Sequence, residues 1–151
     1  MLLGSINHVS ITVKDLDAAM SFFRPLLEFM DFTIGIEAHD YAGTRLVVSL
    51  NEKNGVAFNI WQAKPDLAEH PFEVYEVGLH HVAFNAAAHE HVNELAKLIP
   101  IIGGEILEGP GEYPFGPGGY YAVYFLGPDR LKFEFVHMPL AEQRARERGL
   151  L

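Results

Sequence analysis

Alternating apolar and polar residues from Ile6 to Val13 predict a first strand. Behind it, Asp15 has the character of an N-cap, and Leu16, Met20, Phe23 and Leu27 recur at helical spacing. Pro25 is expected to end or kink that helix, because proline removes a helical donor and crowds the preceding turn. Phe32–Ile36, Thr44–Leu50 and Val56–Gln62 then read as three strands, the last two joined by the turn Asn51–Gly55. Residues Ala63–Val77 carry two prolines and four acidic residues and read as a linker. The same order follows again: a strand from Gly78 to Asn85, a helix from about His89 to Ile99, and a strand near Ile106. The segment Glu108–Gly119, with five glycines and three prolines, predicts a long loop, either a lid or a hairpin connection. Strands Tyr120–Leu126 and Leu131–His137, joined by Gly127–Arg130, complete the second set. The tail from Leu140 is expected to be a short exposed helix or a frayed end.

The two sets repeat in sequence as well as in order. Ile6-Asn7-His8-Val9-Ser10-Ile11-Thr12-Val13 matches Leu79-His80-His81-Val82-Ala83-Phe84-Asn85-Ala86, and Gly55–Trp61 matches Arg130–Val136. The offset is about 75 residues, a period that indicates internal duplication. The predicted fold is α+β: two repeated βαβββ modules, about 5–63 and about 77–138, form a curved half-barrel mixed sheet around a metal site, with a tail at 139–151. Equivalent positions in such a duplication converge, which groups His8, His81, Asn59 and Glu134. Two imidazoles and a carboxylate are a ligand set of the facial-triad type. Glu134 sits among Phe133, Phe135 and Val136, where a carboxylate either faces water or needs a partner. His80 is expected on the opposite sheet face from His81 by alternation. His39, His70, His89, His91 and His137 have no repeat partner and read as surface or supporting residues.

Composition narrows the classes. The 151 residues are nearly half hydrophobic and include eleven Phe, six Tyr and one Trp, enough for a substantial core. A formal charge of −9 argues against nucleic acid and anionic membrane surfaces as partners. Without cysteine there is no disulfide framework and no thiol nucleophile. Met1–Ser5 lacks the basic region and apolar stretch of a signal peptide, so a cytoplasmic location is expected. Apolar residues on both strand faces, such as Val47 with Val48 or Phe135 with Val136, together with open sheet edges, predict a homodimer.

Asn7-His8-Val9, Gly78–Phe84 and Tyr120–Glu134, in this strand–helix–three-strand order, resemble the vicinal oxygen chelate superfamily over nearly the whole chain. That group includes glyoxalase I, bleomycin-resistance proteins, fosfomycin-resistance thiol transferases and type I extradiol dioxygenases. Family members usually carry Asp before the turn proline and Gly after the second Asp, where this chain has Gly127 and Arg130; both read as turn variation. The resemblance implies one divalent metal held by His8, His81 and Glu134, with Fe(II) or Mn(II) favoured and Zn or Ni as alternatives. Asn59 departs from the pattern, because glyoxalase I members carry a metal-binding, proton-shuttling carboxylate there. An amide has no proton to exchange near neutral pH and is a weaker ligand. Dioxygenase-like chemistry on a small aromatic or oxygen-bearing metabolite therefore ranks ahead of a glyoxalase-like lyase, isomerase or thiol transferase. A metal-free binding protein of the bleomycin-resistance kind is the reading from another class. Tyr124 resembles the substrate-bonding tyrosine of extradiol dioxygenases, and Asn59, Trp61, Tyr113 and Tyr120 are the candidate substrate contacts.

Overall fold

The side chain of Asp15 accepts a hydrogen bond from the Ala18 amide and starts the first helix, α1 (Leu16–Phe29), after strand β1 (His8–Val13). Leu16, Ala19, Met20, Phe23, Leu26 and Leu27 bury one stripe of α1. The helix continues through Pro25 rather than ending there. Losing the donor costs about 3 kcal/mol, while burying Leu26 and Leu27 beyond it returns about 1.5–3 kcal/mol each.

The computed structural model describes residues 4–41, 43–116 and 118–149. After α1 come β2 (Phe32–Tyr41), β3 (Thr44–Asn51) and β4 (Ala57–Gln62), then β5 (Val82–Asn85), α2 (His89–Ile101), β6 (Glu105–Glu112), β7 (Tyr121–Leu126), β8 (Lys132–His137) and α3 (Pro139–Glu147). The chain divides between Pro71 and Phe72 into two units. The first holds a four-stranded mixed sheet in the order β1-β4-β3-β2, and the second holds one in the order β5-β8-β7-β6. In each, the first and last strands of the unit pair in parallel and the other pairings are antiparallel. Phe58 and Ile60 face α1 in the first unit, with the Phe58 ring 6.3 Å from that of Phe23. In the second, α2 inserts Val92, Leu95 and Ile99 against β6, β7 and β8, where Val123, Phe125, Phe133 and Phe135 are buried.

Three further elements differ from the sequence expectation. Strand β2, expected over Phe32–Ile36, runs on to Tyr41, paired with β3 across two register shifts. The strand expected from Gly78 begins at Val82, because Gly78 adopts φ +153 and the residues after it stay irregular. The loop expected over Glu108–Gly119 is shorter: Glu108–Glu112 belong to β6, whose register shifts on either side of Glu108. Glycine makes that pairing feasible. Gly109 has φ +83, and a Cβ there would lie 2.4 Å from the Ala122 carbonyl oxygen. Among the described residues no helix is long and apolar enough to cross a membrane.

Candidate metal centre

Strand β8 carries Glu134 into the sheet between Ala83 of β5 and Tyr124 of β7. The residue is 2 % exposed, and a carboxylate so placed needs partners. It has them on both oxygens. Glu134 Oε2 lies 3.1 Å from His81 Nε2, and Oε1 accepts a hydrogen bond from the Tyr120 hydroxyl. Alternation along β8 puts Lys132, Glu134 and Val136 opposite Phe133 and Phe135, so the carboxylate is on the face away from α2. The His81 side chain reaches that face, as its contact with Glu134 shows.

The sequence leaves open which face of β7 meets this carboxylate. Tyr120 and Tyr124 do. Tyr121 turns the other way, donates its hydroxyl to Asn93 Oδ1 at 2.8 Å and stacks on His89, with centroids 4.2 Å apart. Tyr113 meets the Tyr124 ring edge-on at 5.3 Å and stacks on Phe115 at 5.8 Å. The Tyr124 ring stands edge-on to His81 at 6.3 Å, and the Lys132 ammonium lies 5.3 Å from the Tyr124 ring centre. Tyr113, Tyr120, Tyr124, His81 and Glu134 thus form one cluster within the second unit.

Burial holds all three phenols above the ordinary tyrosine value. At Tyr124 its hydrogen bond to Tyr120 and the Glu134 charge add to this; at Tyr120 the bond to Glu134 adds, and at Tyr113 Glu108 does. A raised acid keeps its proton in the folded chain while the unfolded chain loses it, so stability falls as pH rises past 10.0. Tyrosinate absorbance against pH is expected to show these three of the six tyrosines ionising late, together with alkaline unfolding. Normal ionisation of all six in the folded protein would contradict the cluster.

Alternation predicts that His80 points away from His81, but His80 Nδ1 lies 2.6 Å from His81 Nδ1. The rule fails here because both residues precede the start of β5. Desolvation, with His81 and Lys132 adding to it, lowers His80 below the usual histidine value and favours its neutral form. With a cation at His81 Nε2, His81 must donate through Nδ1, and neutral His80 offers the acceptor. The glycine before Leu79 is the sequence signal that the strand has not yet begun.

His8, Asn59 and Trp61 belong to the first unit. His8 is exposed, with Nδ1 2.9 Å from Asn7 Oδ1. Asn59 donates through Nδ2 to Ser10 Oγ at 3.2 Å, while its Oδ1 is buried without a hydrogen-bond partner. Trp61 follows two residues later on the face opposite α1. Register aligns the repeats: Asn59 pairs with Ser10 as Glu134 pairs with Ala83, and His8 and His81 each stand two residues earlier. Val48 occupies in the first unit the place Tyr124 occupies in the second. His137 Nδ1 lies 3.1 Å from the Ala86 carbonyl oxygen, and His89 lies beside it on the α2 face. The side chain of His39 lies outside the described residues.

Among the described residues no three His, Cys, Asp or Glu side chains gather as a metal set. The His81–Glu134 pair fits as two ligands of one ion. Two donors about 2.1 Å from an octahedral ion stand roughly 3.0 Å apart, close to the 3.1 Å between Nε2 and Oε2. Imidazole nitrogen plus carboxylate suits a divalent first-row metal ion.

The family model of the Glyoxalase/Bleomycin resistance protein/Dioxygenase superfamily matches residues 5–135. The uncharacterized protein YqjT of Bacillus subtilis is 29 % identical over 132 residues, covering 87 % of this chain and 97 % of that protein. A glyoxylase/bleomycin resistance protein/dioxygenase domain from Frankia sp. EAN1pec has the same fold, with a TM-score of 0.72, 20 % identity, and 90 % and 98 % of the two chains covered. So does a mutant of the genomically encoded fosfomycin resistance protein FosX from Listeria monocytogenes, solved with Mn(II) and 1S,2S-dihydroxypropylphosphonic acid. Its TM-score is 0.62 at 20 % identity, over 97 % of this chain and 99 % of that one. With its two βαβββ units and a match across most of its length, this chain belongs to the Glyoxalase/Bleomycin resistance protein/Dioxygenase superfamily.

Proposed function

We propose that the protein is a metal-dependent enzyme in which His8 joins His81 and Glu134 around one divalent ion, Fe(II) or Mn(II). The substrate is a small molecule with two neighbouring oxygens, and the leading reaction is dioxygenase-like. The observation that carries this reading is the buried Glu134, whose two oxygens are committed to His81 and Tyr120. A bound ion supplies Lewis acidity for charge that develops on substrate oxygen. Tyr120 keeps its proton on the bond to Glu134 and fixes the carboxylate's orientation. Tyr124, held neutral, turns its hydroxyl proton from Tyr120 to a substrate oxygen when substrate binds and does not act as a base. Tyr113 and Phe115 supply an aromatic wall on which a flat or apolar substrate rests. Asn59 sets the chemistry apart from proton shuttling, since its amide cannot take up a proton; its unpartnered Oδ1 serves as a substrate or weak metal contact. A homodimer belongs to the same reading and is checked by light scattering.

Full-length protein loaded with Fe(II) is expected to consume oxygen when given a catechol. Thiol addition to an epoxide by the Mn(II)-loaded protein, without oxygen uptake, would replace this with transferase chemistry. Ligand binding with no metal requirement would replace it with a sequestering protein. Asn59→Ala is expected to retain metal and His8→Ala to lose it. Equal loss in both would make Asn59 a full ligand.

A further inference from the structure

Beside the candidate metal centre, the second unit contains a cavity of about 260 Å³. Phe72, Leu107 and Leu126 give it apolar walls, and Arg130, Lys132 and Glu73 give it charge, with two cations against one carboxylate. The chain carries 20 acidic and 11 basic residues, so a basic side chain has many carboxylates within choice. Neither Arg130 nor Lys132 forms an ion pair among the described residues, and both line this one cavity. Arg130 also holds φ +60, in the left-handed region where glycine is unstrained and arginine is not. A surface turn has no structural need for that side chain.

The cavity connects to the metal centre through contacts on both sides. Lys132 lies two residues from Glu134 on the same sheet face, with its ammonium over the Tyr124 ring. Tyr75, another wall of the cavity, meets the His80 ring at 5.3 Å, and His80 contacts His81. The volume lies just below the roughly 300–1,000 Å³ typical of drug-sized sites, so it suits one end of a small molecule.

We propose that this cavity binds the oxyanion end of the substrate, a carboxylate or phosphoryl group on a short apolar stem, through Arg130 and Lys132. This rests on the metal-centre reading for the substrate's other end, where the neighbouring oxygens sit. The substrate class is then a small organic acid or phosphate ester with adjacent oxygens at the end distal to its charge.

Calorimetric titration of the full-length, metal-free protein with hexanoate, hexyl phosphate and 1-hexanol tests the cavity alone. One acid is expected to saturate one site per chain, at least about tenfold more tightly than the alcohol. The tighter of the two acids identifies the oxyanion. Arg130→Gln and Lys132→Gln are each expected to weaken that acid about tenfold, and Arg130→Lys to stay within about threefold. Circular dichroism confirms that each variant is folded. Equal binding of acid and alcohol, no saturation by about 10 mM, or an unaltered Arg130→Gln/Lys132→Gln double variant would overturn the proposal. The metal reading fails separately. Glu134→Gln with unchanged metal content would overturn that reading alone, because the acid titration does not require metal.

Discussion

Glu134→Ala is expected to reduce bound metal from one ion per chain to a trace. The reason lies in what the residue gives up. It supplies the charged donor of the pair, held 3.1 Å from His81 Nε2 and oriented by the Tyr120 hydroxyl. Losing a residue that merely supports a ligand costs about 10–100-fold in metal affinity, so losing the ligand itself costs more. Folding responds differently. The variant leaves the Tyr120 hydroxyl proton without its acceptor, at about 1–3 kcal/mol, but also removes a carboxylate that is 2 % exposed. The two effects oppose, so in metal-free protein the melting temperature is expected to move little, while in metal-loaded protein the variant lacks the stabilisation that the bound ion gives the wild type. Glu134→Gln separates charge from shape: it keeps an oxygen to accept from Tyr120 yet is expected to lose most of the metal. Metal analysis of dialysed protein with parallel thermal melts checks both, and full occupancy in either variant would contradict the ligand assignment.

Phe125→Ala is expected to have the opposite signature, with large destabilisation and little direct effect on the ligand pair. Phe125 is fully buried beneath β7, and its ring lies 5.8 Å from that of Phe133. It points away from Glu134, since its register partner is Phe133 while Glu134 pairs with Tyr124. Truncating a buried Phe costs about 3–5 kcal/mol, through lost transfer energy and an incompletely collapsed cavity. For a chain of this size each kcal/mol moves the midpoint by about 2–4 °C. A fall of about 6–20 °C is therefore expected, with metal content per folded chain preserved. A smaller fall accompanied by metal loss would mean that β7 position, not core packing, dominates at this residue.

The repeat, the order of elements along the chain and the helix starts are legible in the sequence because each rests on local chemistry. Asp15 caps α1 as its side chain predicts, and Asn59 and Glu134 occupy equivalent register positions as the duplicated segments imply. What stays hidden depends on tertiary context. Pro25 stays inside its helix because Leu26 and Leu27 beyond it are buried. Glu108–Glu112 form strand despite glycine and proline, since Gly109 admits the close approach of Ala122. His80 contacts His81 because the strand starts only after both, which no alternation rule can register. Burial of Glu134 is similarly open, as the sequence allows either a solvated or a partnered carboxylate, and the partner Tyr120 comes from a different strand end.

The metal centre is tested most directly by crystals of the Fe(II)-loaded protein measured on either side of the iron absorption edge. The expected result is one anomalous peak per chain within about 2.0–2.3 Å of His81 Nε2 and a Glu134 oxygen, with His8 as the third protein ligand. No peak beside Glu134, or a peak held by other side chains, would contradict it.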